Sequence, residues 1–179
     1  MSSTNDHLRI DLSNVDVFSY QKIIEENIDF SDFACENRDF ETYLKDEDLA
    51  IKDDLEDTSK LWIFVHMPDK KVVGYVTLIM SQISRFQHDS LKGLSRHNQV
   101  PGVLISEMAR DVRYRQNGIG RHMIDFVANI GTELSKQIGC KILIVEAIGE
   151  KVSTYEKFGF IRIRDEVDLH RNPMFLRLR

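Results

Sequence analysis

The sequence has little of what marks membrane, secreted or fibrous proteins. Its longest nearly apolar run, Val72 to Met80, is far shorter than the about 20 residues that a membrane-spanning helix needs. Two cysteines, Cys35 and Cys140, are too few for a disulfide framework, and three prolines exclude a collagen-like chain. The first residues show neither the basic nor the apolar region of a signal peptide. We therefore expect a cytoplasmic protein with two reduced thiols.

The charge is uneven along a chain whose net charge is −5. Between Asp29 and Asp57 twelve acidic residues face three basic ones, which gives this segment a charge of −9. Such a segment is either a solvated helix face or an acidic lip that attracts a cationic substrate. The length of 179 residues, without an interdomain linker, predicts one domain over residues 1–179.

Hydrophobic periodicity predicts alternating strands and helices. The predicted helices are Phe18 to Phe30, Asp39 to Leu55, Ile119 to Ile138 with Gly139 as the C-terminal stop, and Glu150 to Phe158 ended by Gly159. The predicted strands are Leu8 to Leu12, Leu61 to Met67, Val72 to Met80, Val103 to Ala109, Lys141 to Ala147, Phe160 to Arg164 and Met174 to Leu178. Helices on the faces of a mixed sheet make the fold class α/β or α+β.

The most informative segment is the turn from Arg115 to Gly120, RQNGIG, between a predicted strand and a long predicted helix. Its two glycines allow a sharp backbone turn, and the helix start adds the positive end of a dipole, so the turn suits an anion such as a pyrophosphate. Alternatively, it is only a tight connection. A Rossmann fingerprint is excluded because Met123 stands where a small residue is required, and no P-loop motif occurs in the sequence.

The stretch EMARDVRYRQNGIGRHMIDF resembles motif A of the GNAT superfamily of acyl-CoA N-acyltransferases, and Tyr155 to Phe160, YEKFGF, is similar to a later motif of that family. The resemblance covers roughly Leu61 to Leu178. It implies a mixed, mostly antiparallel sheet flanked by helices, with a V-shaped split between two central strands that receives acetyl-CoA. Phe33 to Cys35, FETYLKDEDLA and VPGVLISEMARD also resemble the toxin-type branch, whose members acetylate aminoacyl-tRNA.

The resemblance also implies roles for individual residues. Backbone groups beside the acetyl carbonyl and the pantetheine, and N–H groups at the pyrophosphate, would come from Met108, Ala109, Arg110, Arg115, Gln116, Asn117, Gly118, Ile119, Gly120 and Arg121. Tyr155 would protonate the departing thiolate. The alternative to this catalytic role is that Tyr155 is simply packed in the core. Glu107 is a candidate base for the amine, or else it forms a salt bridge or faces solvent. Glu107 stands where the toxin-type branch commonly has arginine, which weakens the case for a tRNA substrate.

These observations lead to an acetyl-CoA-dependent N-acetyltransferase that acts on a primary amine of a small molecule or a protein. The alternatives are a toxin-like acetyltransferase of aminoacyl-tRNA and a CoA-binding module without turnover. The six histidines show no ligand spacing with cysteines or carboxylates, so no metal is expected. No membrane partner is expected, and a homodimer remains open.

Overall fold

Seven strands are hydrogen-bonded in one mixed sheet, in the order β1-β2-β3-β4-β5-β7-β6. The strands are β1 Val15–Ser19, β2 Lys60–His66, β3 Lys71–Ser84, β4 Gln99–Arg110, β5 Ile142–Ala147, β6 Ile161–Arg162 and β7 Asn172–Arg177. The sheet is mostly antiparallel, and β4 and β5 form its parallel pair from Gly102–Ile142 to Ile105–Val145. The helices are α1 Tyr20–Glu25, α2 Arg38–Lys45, α3 Lys52–Leu55, α4 Ile119–Ser135 and α5 Val152–Lys157. The predicted fold class is confirmed.

This computed structural model describes residues 8–179, whose contacts separate two units. Unit 1 comprises residues 8–77 and Glu107–Met123, and unit 2 comprises Leu78–Ser106 and Ile124–Arg179. The single-domain interpretation stays a prediction. Within the described residues, no helix is long and apolar enough to cross a bilayer. Cys35 and Cys140 are free thiols, as predicted.

The core of unit 1 lies between its part of the sheet and the segments around α1, α2 and α3. Phe33 and Tyr75 are fully buried and meet edge to face, with ring centroids 5.8 Å apart. The Tyr75 hydroxyl donates a hydrogen bond to the Phe40 carbonyl at 2.7 Å, so this buried phenol is satisfied. Ile23 and Leu44 bring the apolar faces of α1 and α2 into the same cluster. Burial of these apolar faces therefore holds the short helices against the strands.

Two predicted helices are shorter than the apolar pattern suggests. The helix expected over Asp39 to Leu55 is interrupted at Asp46, which is extended, with φ −81° and ψ 118°. The Asp46 carboxylate accepts the Asp48 N–H at 3.0 Å, so this residue caps a new helical segment, Glu47–Ile51, whose backbone is kinked at Leu49. The helix expected from Phe18 begins at Tyr20 because Ser19 is its N-cap, and the chain leaves it through Asn27, with φ +50°.

The strand predicted over Leu8 to Leu12 is wrong, because this backbone bonds to a loop rather than to the sheet. The Leu8 N–H donates to the Arg113 carbonyl at 3.0 Å, and the Ile10 N–H donates to the Asn117 side-chain oxygen at 3.1 Å. Helix α4 ends at Ser135, so the stop predicted at Gly139 is also wrong. Among the described glycines, positive φ occurs at Gly118 and Gly159, and the latter follows α5 as predicted.

In unit 2 the strands β4, β5 and β7 carry a second apolar cluster. Ile142, Ile144 and Phe175 are buried in it, and the Phe175 ring meets the ring of His88 at 5.6 Å. Strand β5 is buried along most of its length, as its continuous apolar sequence predicts. The polar segment from Ser81 to Gln99 contains the end of β3 and two 3₁₀ turns, Arg85–Gln87 and Asp89–Leu91.

One fully buried carboxylate, that of Asp111, joins the end of β4 to the loop after α1. It accepts the Ala34 N–H at 3.1 Å and two guanidinium contacts from Arg113, at 2.9 and 2.7 Å. The Val112 N–H returns a bond to the Ala34 carbonyl at 2.8 Å. Arg113 also contacts the Asp32 carboxylate at 2.9 Å. These bonds tie two segments of unit 1 together at the entrance to the turn that begins at Arg115.

We predict that Asp111→Asn lowers the free energy of unfolding by about 2 kcal/mol, because the buried amide nitrogen cannot accept the hydrogen bonds that the carboxylate accepts from Ala34 and Arg113. Urea denaturation at pH 7 measures the change. Asp32→Asn is the matched control: it removes the same charge from the same arginine, but at a more exposed position, and should cost less than about 1 kcal/mol. Equal losses in the two variants would contradict the role given to Asp111.

Candidate active site

The turn that precedes α4 has the backbone shape of an anion-binding loop. Gln116 and Gly118 both have positive φ, +62° and +76°. A Cβ on Gly118 would meet only a Leu12 methyl group at 3.5 Å, so glycine is required here for conformation rather than for space. The His122 N–H bonds to the Gly118 carbonyl at 3.0 Å, and the N–H groups before it belong to the first turn of a 17-residue helix. Such groups have no acceptor within the helix and carry its positive dipole end.

Two side chains of the turn serve the protein itself. The Asn117 amide accepts the Ile10 N–H at 3.1 Å and donates to the Leu8 carbonyl and, at 3.1 Å, to the Arg115 carbonyl. Ile119 is fully buried. These two residues therefore hold the turn in shape, and only their backbone groups are left for a ligand. The side chains of Gln116 and Arg121 are exposed.

The arginines at the turn share one carboxylate of the acidic segment. The Arg115 guanidinium contacts the Glu36 carboxylate at 2.6 Å, and the Arg110 guanidinium lies 3.9 Å from the same oxygen. Burial lowers the pKa of Arg110, while the Glu36 charge acts in the opposite direction. Two cations facing one anion leave a positive excess, which is the electrostatic condition for binding a phosphate group.

Glu107 lies on β4 in unit 1, half-buried. Its N–H donates to the Thr77 hydroxyl at 3.1 Å, and its Oε2 is buried without a hydrogen-bond partner among residues 8–179. Burial, followed by the negative charge of Asp39, raises the pKa of Glu107 to about 7. Of the alternatives for this residue, the salt bridge is not formed within the described part of the chain. A carboxyl group with such a pKa exchanges a proton near neutrality, which suits a general base.

The residues that follow Glu107 on the same strand differ in burial. Met108 is half-buried, and Ala109 is buried in the core of unit 1. The Ala109 carbonyl lies 3.0 Å from the position that a Cβ on Gly74 would occupy, so this glycine lets β3 and β4 approach each other closely. The close packing of β3 against β4 therefore fixes the position of the Ala109 backbone, as hydrogen bonding to a substrate requires.

Tyr155 lies on α5 in unit 2 and is largely buried. Its ring meets those of Phe160 and Phe158 edge to face, with centroid distances of 5.4 and 6.4 Å. The Tyr155 carbonyl accepts the N–H groups of both phenylalanines at 3.0 Å. Packing thus fixes the Tyr155 ring. A fixed ring agrees with a tyrosine that is only packed in the core, and it also agrees with a positioned proton donor.

Sequence reasoning missed two residues that shape the turn, Glu36 and Asp111. Glu36 belongs to the acidic segment, but nothing in the sequence singles it out among twelve acids. Asp111 follows β4 directly, and an acid between a strand and an arginine gives a weak signal for a buried pair. No three His, Cys, Asp or Glu side chains in the described part of the chain are placed to hold a metal ion.

The comparisons with known proteins agree with this geometry. Residues 26–160 match the sequence profile of the Acetyltransferase (GNAT) family. No curated protein matches the sequence. Among solved structures, a tyrosine-to-phenylalanine mutant of KacT has a TM-score of 0.78 at 22% identity, covering 92% of this chain and 95% of that one. AtaT complexed with acetyl-methionyl-tRNAfMet has a TM-score of 0.76 at 21% identity, covering 91% and 94%. AtaTR bound with acetyl-CoA has a TM-score of 0.72 at 22% identity, covering 93% and 95%.

At these identities the structural likenesses establish the fold, and the family match establishes the membership. The profile spans more than half of the chain and includes the turn from Arg115 to Arg121 and the tyrosine of α5. The chain therefore belongs to the GNAT family and is an acetyl-CoA-dependent acetyltransferase.

Proposed function

We propose that this enzyme transfers the acetyl group of acetyl-CoA directly to a primary amine of a small molecule or a protein. The observation that carries the proposal is the Glu107 carboxyl group: its Oε2 is buried without a hydrogen-bond partner among residues 8–179, and its pKa of about 7 lets it accept the proton of an ammonium group at neutral pH. A free lysine-type amine has a pKa of about 10.4, so a base is needed at this step.

The residues around the turn fit acetyl-CoA. N–H groups from Gln116 to Arg121 would hold its pyrophosphate, because the left-handed backbone at Gly118 opens the turn and the helix dipole favours an anion. Arg115 and Arg110 would add positive charge, and the backbone from Met108 to Arg110 would run beside the pantetheine and the acetyl carbonyl. When bound, acetyl-CoA supplies a thioester whose carbonyl carbon accepts the amine and whose thiolate leaves.

The protons balance between two residues of the chain. An ammonium nitrogen loses two protons on its way to the amide, and the departing thiolate gains one. Glu107 would accept the first proton from the ammonium group, directly or through a water, and later release it to solvent. The nitrogen then forms the new C–N bond while the C–S bond breaks. The Tyr155 hydroxyl, a phenol of pKa about 10, would donate its proton to the thiolate, whose pKa is about 8.5, and the phenolate would regain a proton as the nitrogen loses its second one. No covalent intermediate on the protein is required.

The charge around Glu107 supports a cationic acceptor. Asp39 is the charge that raises the Glu107 pKa, and it belongs to the segment from Asp29 to Asp57 with its charge of −9. Negative potential of this kind concentrates ammonium groups and opposes phosphate groups. A primary amine therefore fits unit 1 better than a polyanion does.

A second candidate acceptor is aminoacyl-tRNA, and the structural neighbours favour it. AtaT complexed with acetyl-methionyl-tRNAfMet shares the fold over nearly the whole chain. Other neighbours are AtaT bound to the C-terminus of its antitoxin AtaR and a KacTA–DNA complex. A toxin of this kind would also have an antitoxin as its partner. Acetyl transfer to a small or protein-borne amine and acetyl transfer to aminoacyl-tRNA should differ in how strongly they depend on the salt concentration.

We predict that acetyl-CoA at about 100 times its Kd stabilises the fold by about 2.7 kcal/mol, seen as a thermal shift. Gly118→Asp should abolish the shift, because it places a negative charge where the pyrophosphate is held. Gly118→Asn is the matched control: asparagine tolerates positive φ equally well but adds no charge, so part of the shift should remain. Identical shifts for the wild type and Gly118→Asp would contradict the assignment of the turn.

We predict that kcat/KM falls as the pH drops through about 7, because the Glu107 carboxylate becomes protonated and can no longer accept a proton. In Glu107→Gln this fall of kcat/KM below pH 7, the acidic limb of the profile, should disappear. The rate of this variant should be lower by about 10²–10⁴-fold. Tyr155→Phe is the control: it should lower the rate similarly but keep the limb, and both variants should bind CoA normally in calorimetry. A limb that persists in Glu107→Gln would remove Glu107 as the base.

We predict that lysine-containing peptides and polyamines are acetylated better than bulk aminoacyl-tRNA. Radiolabelled acetyl transfer at about 50 and 200 mM salt tests this, because binding through many phosphate contacts weakens by orders of magnitude over that range. Transfer to the amines should change little with salt. Transfer only to the tRNA, falling steeply as salt rises, would establish the second candidate instead.

A further inference from the structure

Glu36 places a negative charge on the two arginines that the proposed function gives to the cofactor. Its Oε1 lies 2.6 Å from a terminal guanidinium nitrogen of Arg115 and 3.9 Å from one of Arg110. All three residues belong to unit 1, and Arg115 opens the turn that leads into α4. A carboxylate at a turn that suits an anion opposes the binding of a phosphate group, because like charges repel.

The guanidinium groups of Arg110 and Arg115 lie close enough to affect each other. Burial lowers the pKa of Arg110, the charge of Arg115 acts in the same direction, and the charge of Glu36 acts against both. One carboxylate shared by two cations therefore relieves their repulsion. A phosphate group would relieve it as well, since a guanidinium group matches the oxygen atoms of carboxylates and of phosphates.

The ion pair with Glu36 leaves most donors of the Arg115 guanidinium group unused. It involves one terminal nitrogen of the five N–H donors that a guanidinium group carries in total. The Arg115 Nε is buried without a hydrogen-bond partner among residues 8–179. Exchange of Glu36 for a phosphate oxygen would therefore break a single contact of this arginine.

The backbone on both sides of Glu36 is fixed, which keeps its side chain next to the arginines. Ala34, two residues earlier, donates its N–H to the Asp111 carboxylate at 3.1 Å and accepts the Val112 N–H at 2.8 Å. Asn37, the next residue, is the N-cap of α2. Glu36 can therefore release Arg115 by rotation of its side chain, while its charge stays near the turn.

From these contacts we propose that Glu36 competes with a phosphate group of acetyl-CoA for Arg115, and that it thereby weakens the binding of the cofactor and of the product CoA. The inference rests on the proposed function, since it takes the turn from Arg115 to Arg121 as the pyrophosphate site. A competitor held within the chain lowers the apparent affinity by the fraction of time that it occupies the arginine. CoA should then leave faster, because affinity differences at one site arise mainly from dissociation rates.

Glu36→Gln tests the proposal because it keeps the shape of the side chain and removes its charge. Calorimetric titration with CoA should give a Kd about fivefold lower than that of the wild type, the effect expected of one partly exposed ion pair. If Glu36 instead orients Arg115 for the cofactor, the Kd of this variant rises. An unchanged or higher Kd would overturn the proposal.

Glu26→Gln is the matched control for the loss of one negative charge in unit 1. The Glu26 side chain is about as exposed as that of Glu36, 36% against 40%, and it pairs with Lys22 of α1 at 3.0 Å. Its Kd for CoA should equal that of the wild type. A fivefold gain in both variants would show an effect of net charge alone and would overturn the role of Glu36.

A double-mutant cycle shows whether Glu36 acts through Arg115. Arg115→Gln alone should raise the Kd for CoA. In the Arg115→Gln background, the further change Glu36→Gln should improve binding less than about twofold, because the contested arginine is gone. A full fivefold gain in that background would show that Glu36 only repels phosphates from a distance, which would overturn the competition.

Titration with dephospho-CoA, which lacks the 3′-phosphate, identifies the phosphate group that Glu36 opposes. We expect the same fivefold gain in Glu36→Gln with CoA and with dephospho-CoA, because Arg115 opens the turn assigned to the pyrophosphate. A gain with CoA alone would also support the competition, but it would assign the 3′-phosphate to Arg115.

Calorimetry needs no acceptor, so it separates failure of this inference from failure of the proposed function. Tighter binding of CoA by Glu36→Gln, without acetyl transfer to any amine, would support the inference and contradict the proposed function. Acetyl transfer to amines together with an unchanged Kd would overturn the inference and leave the proposed function intact.

Discussion

The buried Asp111 carboxylate is the constraint on which the arrangement of unit 1 depends. A charge without water must find its hydrogen bonds within the protein, and Asp111 finds them on Ala34 and Arg113. Because these partners belong to segments far apart in sequence, satisfying one carboxylate fixes the loop after α1 against the end of β4. The turn from Arg115 begins two residues after Arg113, so its starting point is fixed by the same bonds. Backbone donors that must meet a pyrophosphate benefit from such a rigid origin.

The turn itself divides its groups between structure and ligand. Asn117 and Ile119 direct their side chains into the protein, while the positive φ of Gln116 and Gly118 presents the backbone. Binding through backbone N–H groups needs the correct φ and ψ values more than particular side chains. Only the glycines of this turn are therefore visible as a motif, although the neighbouring side chains keep it in shape.

The same distinction explains how far the sequence leads. The turn, α4 and the YEKFGF helix are local features, and their periodicity and glycines predict them well. Contacts between distant segments were not predictable, since Glu36 and Arg115 are separated by many residues and by several elements. Local polar competition also defeated the apolar pattern: Asp46 bonds to its own neighbourhood and divides a helix that hydrophobic spacing alone would continue. At Glu107 the sequence left a base, a salt bridge and exposure to solvent as alternatives, and burial with the nearby charge of Asp39 favours the base.

Glu107 also links the chemistry of the proposed reaction to the choice of acceptor. A carboxyl group becomes a useful base at neutral pH when burial and a like charge make its ionised form costly. The like charge in unit 1 is Asp39, so the negative potential that raises the Glu107 pKa also attracts ammonium groups and repels phosphates. An arginine at position 107, as in the toxin-type branch that the sequence resembles, would replace this base with a cation that attracts phosphate groups. A base of this kind needs negative potential around it, and a cationic amine is attracted by the same potential. A polyanionic acceptor is repelled by it and therefore fits this site less well.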